Sequence, residues 1–188
     1  MVVLSNFFSQ LSKELVDVVN DSFNNNIQEE DYGQLQLQHE QAFGEHNDIS
    51  NPAREKINNI KRNEYCNDFE LYSRDATNFT DLAWKLLGRY IANNTVLKRV
   101  CLEDYDISDE HISSLFRNMA SNSHLEHIDL PRCTLTDSKL VALFRGLTRS
   151  TSIKSLNLGQ NAFGIDGVRS MLPFIENSPQ LENLWISS

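Results

Sequence analysis

The hexapeptides LKRVCL (97–102), LEHIDL (125–130), IKSLNL (153–158) and LENLWI (181–186) begin 28 residues apart, and each is apolar at its first, fourth and sixth places. Apolar residues two apart predict a short strand with one buried face, because successive strand side chains point to opposite sides. The period continues beyond the hexapeptide. Ile107, Leu135 and Phe163 follow it; then Ile112, Leu115, Phe116 and Met119 recur as Leu140, Leu143, Phe144, Leu147 and as Val168, Met171, Leu172, Ile175. That later spacing, steps of 3, 1 and 3, is one face of an amphipathic helix. Ser108, Thr136 and Gly164 stand where a helix N-cap belongs, and Asp109 and Asp137 follow at the positive end of the helix dipole. One unit reads as strand, turn, helix. A single such unit cannot bury its own apolar face, so neighbouring units must stack.

One period earlier the same columns hold Phe69, Tyr72, Phe79, Trp84, Leu87 and Ile91, with Thr80 and Asp81 at the cap and lapses at Arg74 and Gly88. Over four units the eight columns are apolar at 30 of 32 positions in a chain that is 40% apolar, which chance does not produce. These residues resemble the ribonuclease-inhibitor-like class of leucine-rich repeats, whose units have this length. In that family the turn column after the hexapeptide is usually Asn or Cys; here it holds Tyr105, Cys133 and Asn161, and Tyr105 departs from the pattern. The resemblance implies an α/β fold: a leucine-rich-repeat solenoid, a horseshoe segment with parallel inner strands and outer helices, preceded by a helical N-terminal region. The organisation expected is an amphipathic helix over 1–23, a polar Asn/Gln-rich linker over 24–50, a short helix within 51–68, and repeats over 69–188. Within the repeats, 69–96 is a degenerate cap, 97–124, 125–152 and 153–180 are full units, and 181–188 is partial.

The N-terminal third carries less signal. Ser5 or Asn6 can cap a helix whose apolar face is Phe7, Phe8, Leu11, Leu15, Val18 and Val19. Residues 24–50 are acidic and rich in Asn and Gln, which predicts disorder, although Leu35 and Leu37 alternate with glutamines like a weak edge strand. Asn51 followed by Pro52 predicts a helix start, with Ile57 and Ile60 as its apolar edge.

Composition narrows the partners. The 188 residues carry 17 Lys+Arg against 26 Asp+Glu, a net charge of -9, which repels nucleic acid and anionic lipid. The imbalance is concentrated before residue 97, where 8 basic face 15 acidic side chains. No apolar run reaches the ~18 residues of a membrane span. Cys66, Cys101 and Cys133 form no CxxC pair and cannot all be bridged within the chain, so an intracellular protein, cytoplasmic or nuclear, with reduced thiols is expected.

The strand residues between the buried ones define the opposite, concave face: Arg99, Cys101, Glu103, His127, Asp129, Ser155, Asn157, Asn183 and Trp185 are the candidate partner-binding residues. Cys101, Asp129, Asn157 and Trp185 share one row across neighbouring strands, and a tryptophan on a polar face is the kind of side chain that anchors protein interfaces. Cys101, His127 and Asp129 offer a thiol, a base and a carboxylate, but nothing in the spacing supplies an oxyanion hole, and the ligand count falls short of a zinc site. Gly159, Gly164 and Gly167 lack the Lys and Ser/Thr of a phosphate loop. The expectation is therefore a non-enzymatic module that binds a partner protein on its concave face, with no cofactor, metal, nucleic acid or membrane. The alternatives are a regulator of a small GTPase, an enzyme using Cys101, or a fragment of a longer receptor-like scaffold. An uncapped strand at 181–186 is expected to invite self-association.

Overall fold

The computed structural model describes residues 32–45, 47–64, 66–75 and 79–187. The expected helix over 1–23 lies outside the described residues, as does Ser188. The chain divides after Gln38, and the described part of the first unit is the opening of helix α1 (Tyr32–Phe43). The second unit, His39–Ser188, holds a five-stranded parallel sheet in sequence order: β1 (Asp68–Tyr72), β2 (Arg99–Glu103), β3 (His127–Asp129), β4 (Ser155–Asn157) and β5 (Asn183–Trp185). Helices α3 (Asp81–Asn93), α4 (Asp109–Phe116), α5 (Asp137–Leu147) and α6 (Ile165–Glu176) connect consecutive strands, so the class is α/β.

Every apolar column of the units 97–124 and 125–152 is buried. Val100, Ile128 and Leu156 pair in register, and Leu102, Leu130 and Leu158 lie fully buried in the next column, together with Leu115, Phe116, Leu143 and Phe144 from the helices. In the units 153–180 and 181–188 some of the same columns come to the surface: Leu172, the counterpart of buried Phe144, is 51% exposed, and Ile186, the counterpart of Leu158, is 42% exposed.

The first unit departs from the 28-residue register. Phe69 pairs with Val100 and Leu71 with Leu102, an offset of 31, so Leu71 rather than Arg74 fills the core column and Tyr72 faces the other way. Three additional residues lie between β1 and α3 compared with β2 and α4, after which the 28-residue spacing resumes at the caps. Thr80, Ser108 and Thr136 accept from the backbone N–H groups of Ala83, His111 and Lys139. Gly164 has no side chain to offer; instead Asp137 Oδ1, from the start of α5, accepts from Gly164 N at 2.6 Å and Gly167 N at 3.0 Å. Gly88 is a close approach: a Cβ there would lie 2.4 Å from Ser114 O on α4. Helix α4 stops at Phe116, and a 3₁₀ turn at Met119–Ser121 carries the last apolar residue of that face.

Two polar columns tie the units together. Asn161 Oδ1 accepts from Cys133 N and Leu135 N, while its Nδ2 donates to the carbonyls of Leu130, Leu158 and Gly159. One and two units earlier, the Cys133 thiol donates to Leu102 O and the Tyr105 hydroxyl to Tyr72 O, so the departing tyrosine bridges units as its counterparts do. The second column, Asn94, Asn122, Ser150 and Ser178, is buried throughout, but the bonds across units come from its asparagines, and Ser178 Oγ finds no partner. Asn122 accepts from His124 N and Leu125 N and donates to the carbonyls of Ile91, Ala92 and Asn94.

Within the polar stretch expected to be a disordered linker, residues 32–43 instead form α1. Leu and Gln are good helix formers, and Leu35 and Leu37 lie on that helix rather than on an edge strand. Its C-terminal end is fixed by buried Ala42 and Phe43, by His39 between Tyr90 Oη and Asn58 Oδ1, and by Arg54, which donates to the carbonyls of Phe43, Gly44 and Asn47. Helix α2 (Asn51–Lys61) starts one residue earlier than expected, capped by Ser50, whose hydroxyl accepts from Ala53 N. It ends well before 68, where β1 has begun.

Candidate functional site

Strand alternation sends one set of residues into the core and the other onto the opposite sheet face. There Arg99, Cys101, Glu103, His127, Asp129, Ser155, Asn157 and Trp185 line one open hollow of about 690 Å³, joined by Pro131, Arg132, Gly159, Gln160 and Ser187. Eight of the nine residues selected from the sequence are thus brought together. Asn183 pairs with Ser155 in register but does not line the hollow. Trp185 stands at one end, half exposed at 50%.

Two guanidinium clusters set the charge. Arg99 Nε donates to Asp129 Oδ2 at 2.7 Å, and its Nη1 donates to Glu70 Oε1 at 2.8 Å. Arg132 Nε donates to Asp104 Oδ1 at 2.6 Å, its Nη1 to Gln160 Oε1 at 2.9 Å, and its Nη2 to Glu103. Each arginine is held by two carboxylates; the Arg99 cluster retains one negative charge, while Arg74 also acts on Asp104 in the other. Beside the hollow, Glu126 accepts from Lys154 at 2.7 Å and Lys98 at 3.0 Å; those bonds hold its carboxyl down at about 2.

Glu70, Asp104, Arg132 and Gln160 were not among the sequence candidates. Glu70 was hidden by the shifted register of β1, which pairs it with Cys101. Asp104, Arg132 and Gln160 form a 28-residue column of turn residues, all with positive φ, and the recurrence of polar residues just after each strand was the available signal.

Among the described residues no side-chain hydrogen bond joins Cys101, His127 and Asp129. The Asp129 carboxylate accepts from Arg99, and burial together with Asp129 pushes the Cys101 thiol up to about 11, which keeps it protonated at neutral pH. Cys133 is buried and pushed up to about 12. Among the described residues no group of three His, Cys, Asp or Glu is placed to hold a metal, and no helix is long and apolar enough to cross a membrane.

No family model matches the chain, and no curated protein matches it. Among solved structures, leiomodin-1 actin-binding site 2 superposes with a TM-score of 0.59 at 15% identity, covering 72% of this chain and 79% of that one. The chain is similar to it in fold. The tropomodulin C-terminal domain from Caenorhabditis elegans is more remote, with a TM-score of 0.42 at 16% identity over 71% of this chain and 62% of that one, and no fold is equated on it.

The leiomodin-1 likeness corrects the family resemblance drawn from the repeats. The fold is similar to that of the leiomodin-1 domain, and the ribonuclease-inhibitor-like leucine-rich-repeat solenoid is not upheld. The physical reason is that any run of parallel strand–helix units stacked in register requires apolar residues at a constant interval, so the period reports geometry rather than ancestry. Regulation of a small GTPase gains no support and is not carried further.

Proposed function

We propose that this chain is a non-enzymatic, intracellular protein-interaction module whose partner seats in the hollow on the helix-free face of the sheet. The observation that carries the reading is Trp185: a half-exposed tryptophan at the end of a row of polar side chains, on a rigid strand, in an otherwise open hollow. Aromatic side chains so placed contribute much of the energy of protein interfaces. The hollow is open to water and its thiol is protonated, which suits binding more than covalent chemistry.

Actin is the partner to try first, because the domain similar in fold is an actin-binding site of leiomodin-1. The test is co-sedimentation with filamentous actin and anisotropy with labelled monomeric actin, using the wild type and Trp185→Ala. Binding should weaken by about 2 kcal/mol or more in the variant while far-UV circular dichroism stays unchanged. Actin binding at equal affinity by both proteins would remove Trp185 from the contact. Absence of actin binding would leave a different protein partner to be sought at the same face.

A further inference from the structure

We propose that the segment received by the hollow is cationic, presenting an arginine or lysine side chain to the Trp185 ring and to the carboxylates around Asp129 and Glu103. The inference rests on the protein-binding role proposed above and adds the chemistry of the partner.

Three independent features of the hollow converge on it. The first is charge. Arg99 is shared between Glu70 and Asp129, and Arg132 between Glu103 and Asp104 with Arg74 also acting on Asp104, so the excess is negative around Arg99. The second is the aromatic surface. A tryptophan ring attracts a cation through its quadrupole more strongly than any other side chain, and Trp185 presents its ring to solvent in the row that also holds Asp129 and Asn157. The third is unfilled hydrogen-bonding capacity. Ser155 is only 6% exposed, lines the hollow, and among the described residues its hydroxyl has no hydrogen-bond partner. Asn157 uses its Oδ1 on Gly159 N, and its amide group lines the same space. A hydroxyl that opens onto the hollow with no partner in the chain is a place for a donor or acceptor of the ligand.

A guanidinium or ammonium group fits all three features. It can lie on the Trp185 face, donate to Ser155 Oγ, and add positive charge to a site whose own cations are already committed. An acidic segment would face the carboxylates of both clusters and find both arginines already bonded.

The experiment uses fluorescein-labelled peptides of equal length on a Gly/Ser background, bearing arginines, glutamates or asparagines, titrated with the full chain at moderate salt and followed by anisotropy. The arginine peptide should bind, and at least about tenfold tighter than the glutamate peptide. Trp185→Ala and Asp129→Asn should each weaken it by about fivefold, whereas Asp109→Asn, an exposed carboxylate on α4, should change it by less than about twofold. Arg99→Gln should tighten it, since Glu70 and Asp129 lose the cation they share; Glu103→Gln should weaken it and serves if the Arg99 variant does not fold. Equal losses from Asp109→Asn and Trp185→Ala would mean attraction by bulk charge alone and overturn the proposal. Failure of the wild type to bind the arginine peptide would also overturn it. Preference for the glutamate or asparagine peptide, still dependent on Trp185, would overturn the cationic partner while leaving the protein-binding face intact. Loss of the face itself would show separately, as partner capture indifferent to Trp185→Ala.

Discussion

Asn161 makes five hydrogen-bond contacts from one buried amide side chain: its Oδ1 accepts two, and the two protons of its Nδ2 are shared among three carbonyls of its own turn or the preceding unit. Removing it strands two N–H groups and the carbonyls of Leu130 and Leu158 where water cannot easily replace it, while Gly159 O keeps its bond from Arg132 N, and each buried unsatisfied group costs about 1–3 kcal/mol. Asn161→Ala should therefore destabilise by about 3 kcal/mol or more, read as a lower urea midpoint at constant slope; a change within about 0.5 kcal/mol would show the amide to be dispensable. Cys133 and Tyr105 reach the same end with different chemistry, and the tyrosine succeeds because its length lets its hydroxyl span to Tyr72 O. His39 gives a second expectation at this scale. Burial, then the charge of Lys61, with a smaller push from Arg62, lowers its pKa below the ordinary 6.5; the bond to Asn58 and the nearby Glu40 carboxylate oppose this only in part. The folded protein thus holds the ring neutral between Asn58 and Tyr90, while the unfolded chain takes up a proton as pH falls through 6.5. Stability is full above that pH and declines below it. The melting temperature should fall between about pH 7.5 and 5.5, and His39→Gln should flatten that fall; an equal slope in the variant would place the titration elsewhere.

At the scale of elements, packing and sequence agree wherever one unit repeats another. The columns through Leu130, Leu143 and Leu158 were legible because each strand–helix unit meets neighbours like itself, so one spacing serves every core contact. The first unit breaks that condition. Its strand meets β2 with three extra residues in the following turn, and Arg74, which looked like a lapse in the core, belongs to that turn. Gly88 looked like a lapse too, and for the opposite reason: it sits in the core column, where the helices approach too closely for a Cβ. Gly88→Ala would place a methyl 2.4 Å from Ser114 O and 2.7 Å from Leu115 O, both backbone atoms. It should cost about 2 kcal/mol or more despite the better helix propensity of alanine. A variant as stable as the wild type would mean that α3 and α4 can separate freely. Helix α1 was not legible because its glutamines give no apolar period; only His39, Ala42 and Phe43, at one end, are buried.

At the scale of the whole molecule, the sheet face could be named residue by residue from alternation alone, and eight of its nine candidates line the hollow. Its electrostatics could not be read the same way. Which carboxylate an arginine takes depends on register, and the Arg99 cluster needs Glu70 from the one strand whose register differs. Turn residues Asp104, Arg132 and Gln160 complete the rim because each unit turns with the same left-handed residue after its strand, a geometry set by stacking. The account stands on that face being where a partner protein binds. The most direct measurement places a photoreactive phenylalanine analogue at Asn157 in the hollow, or at Val141 on the exposed surface of α5, in cells that express this chain. The account predicts that one protein is cross-linked from position 157 and not from 141, and that Trp185→Ala in the same chain abolishes the cross-link. Capture of that protein from 141 alone, or from 157 undiminished by Trp185→Ala, would contradict it.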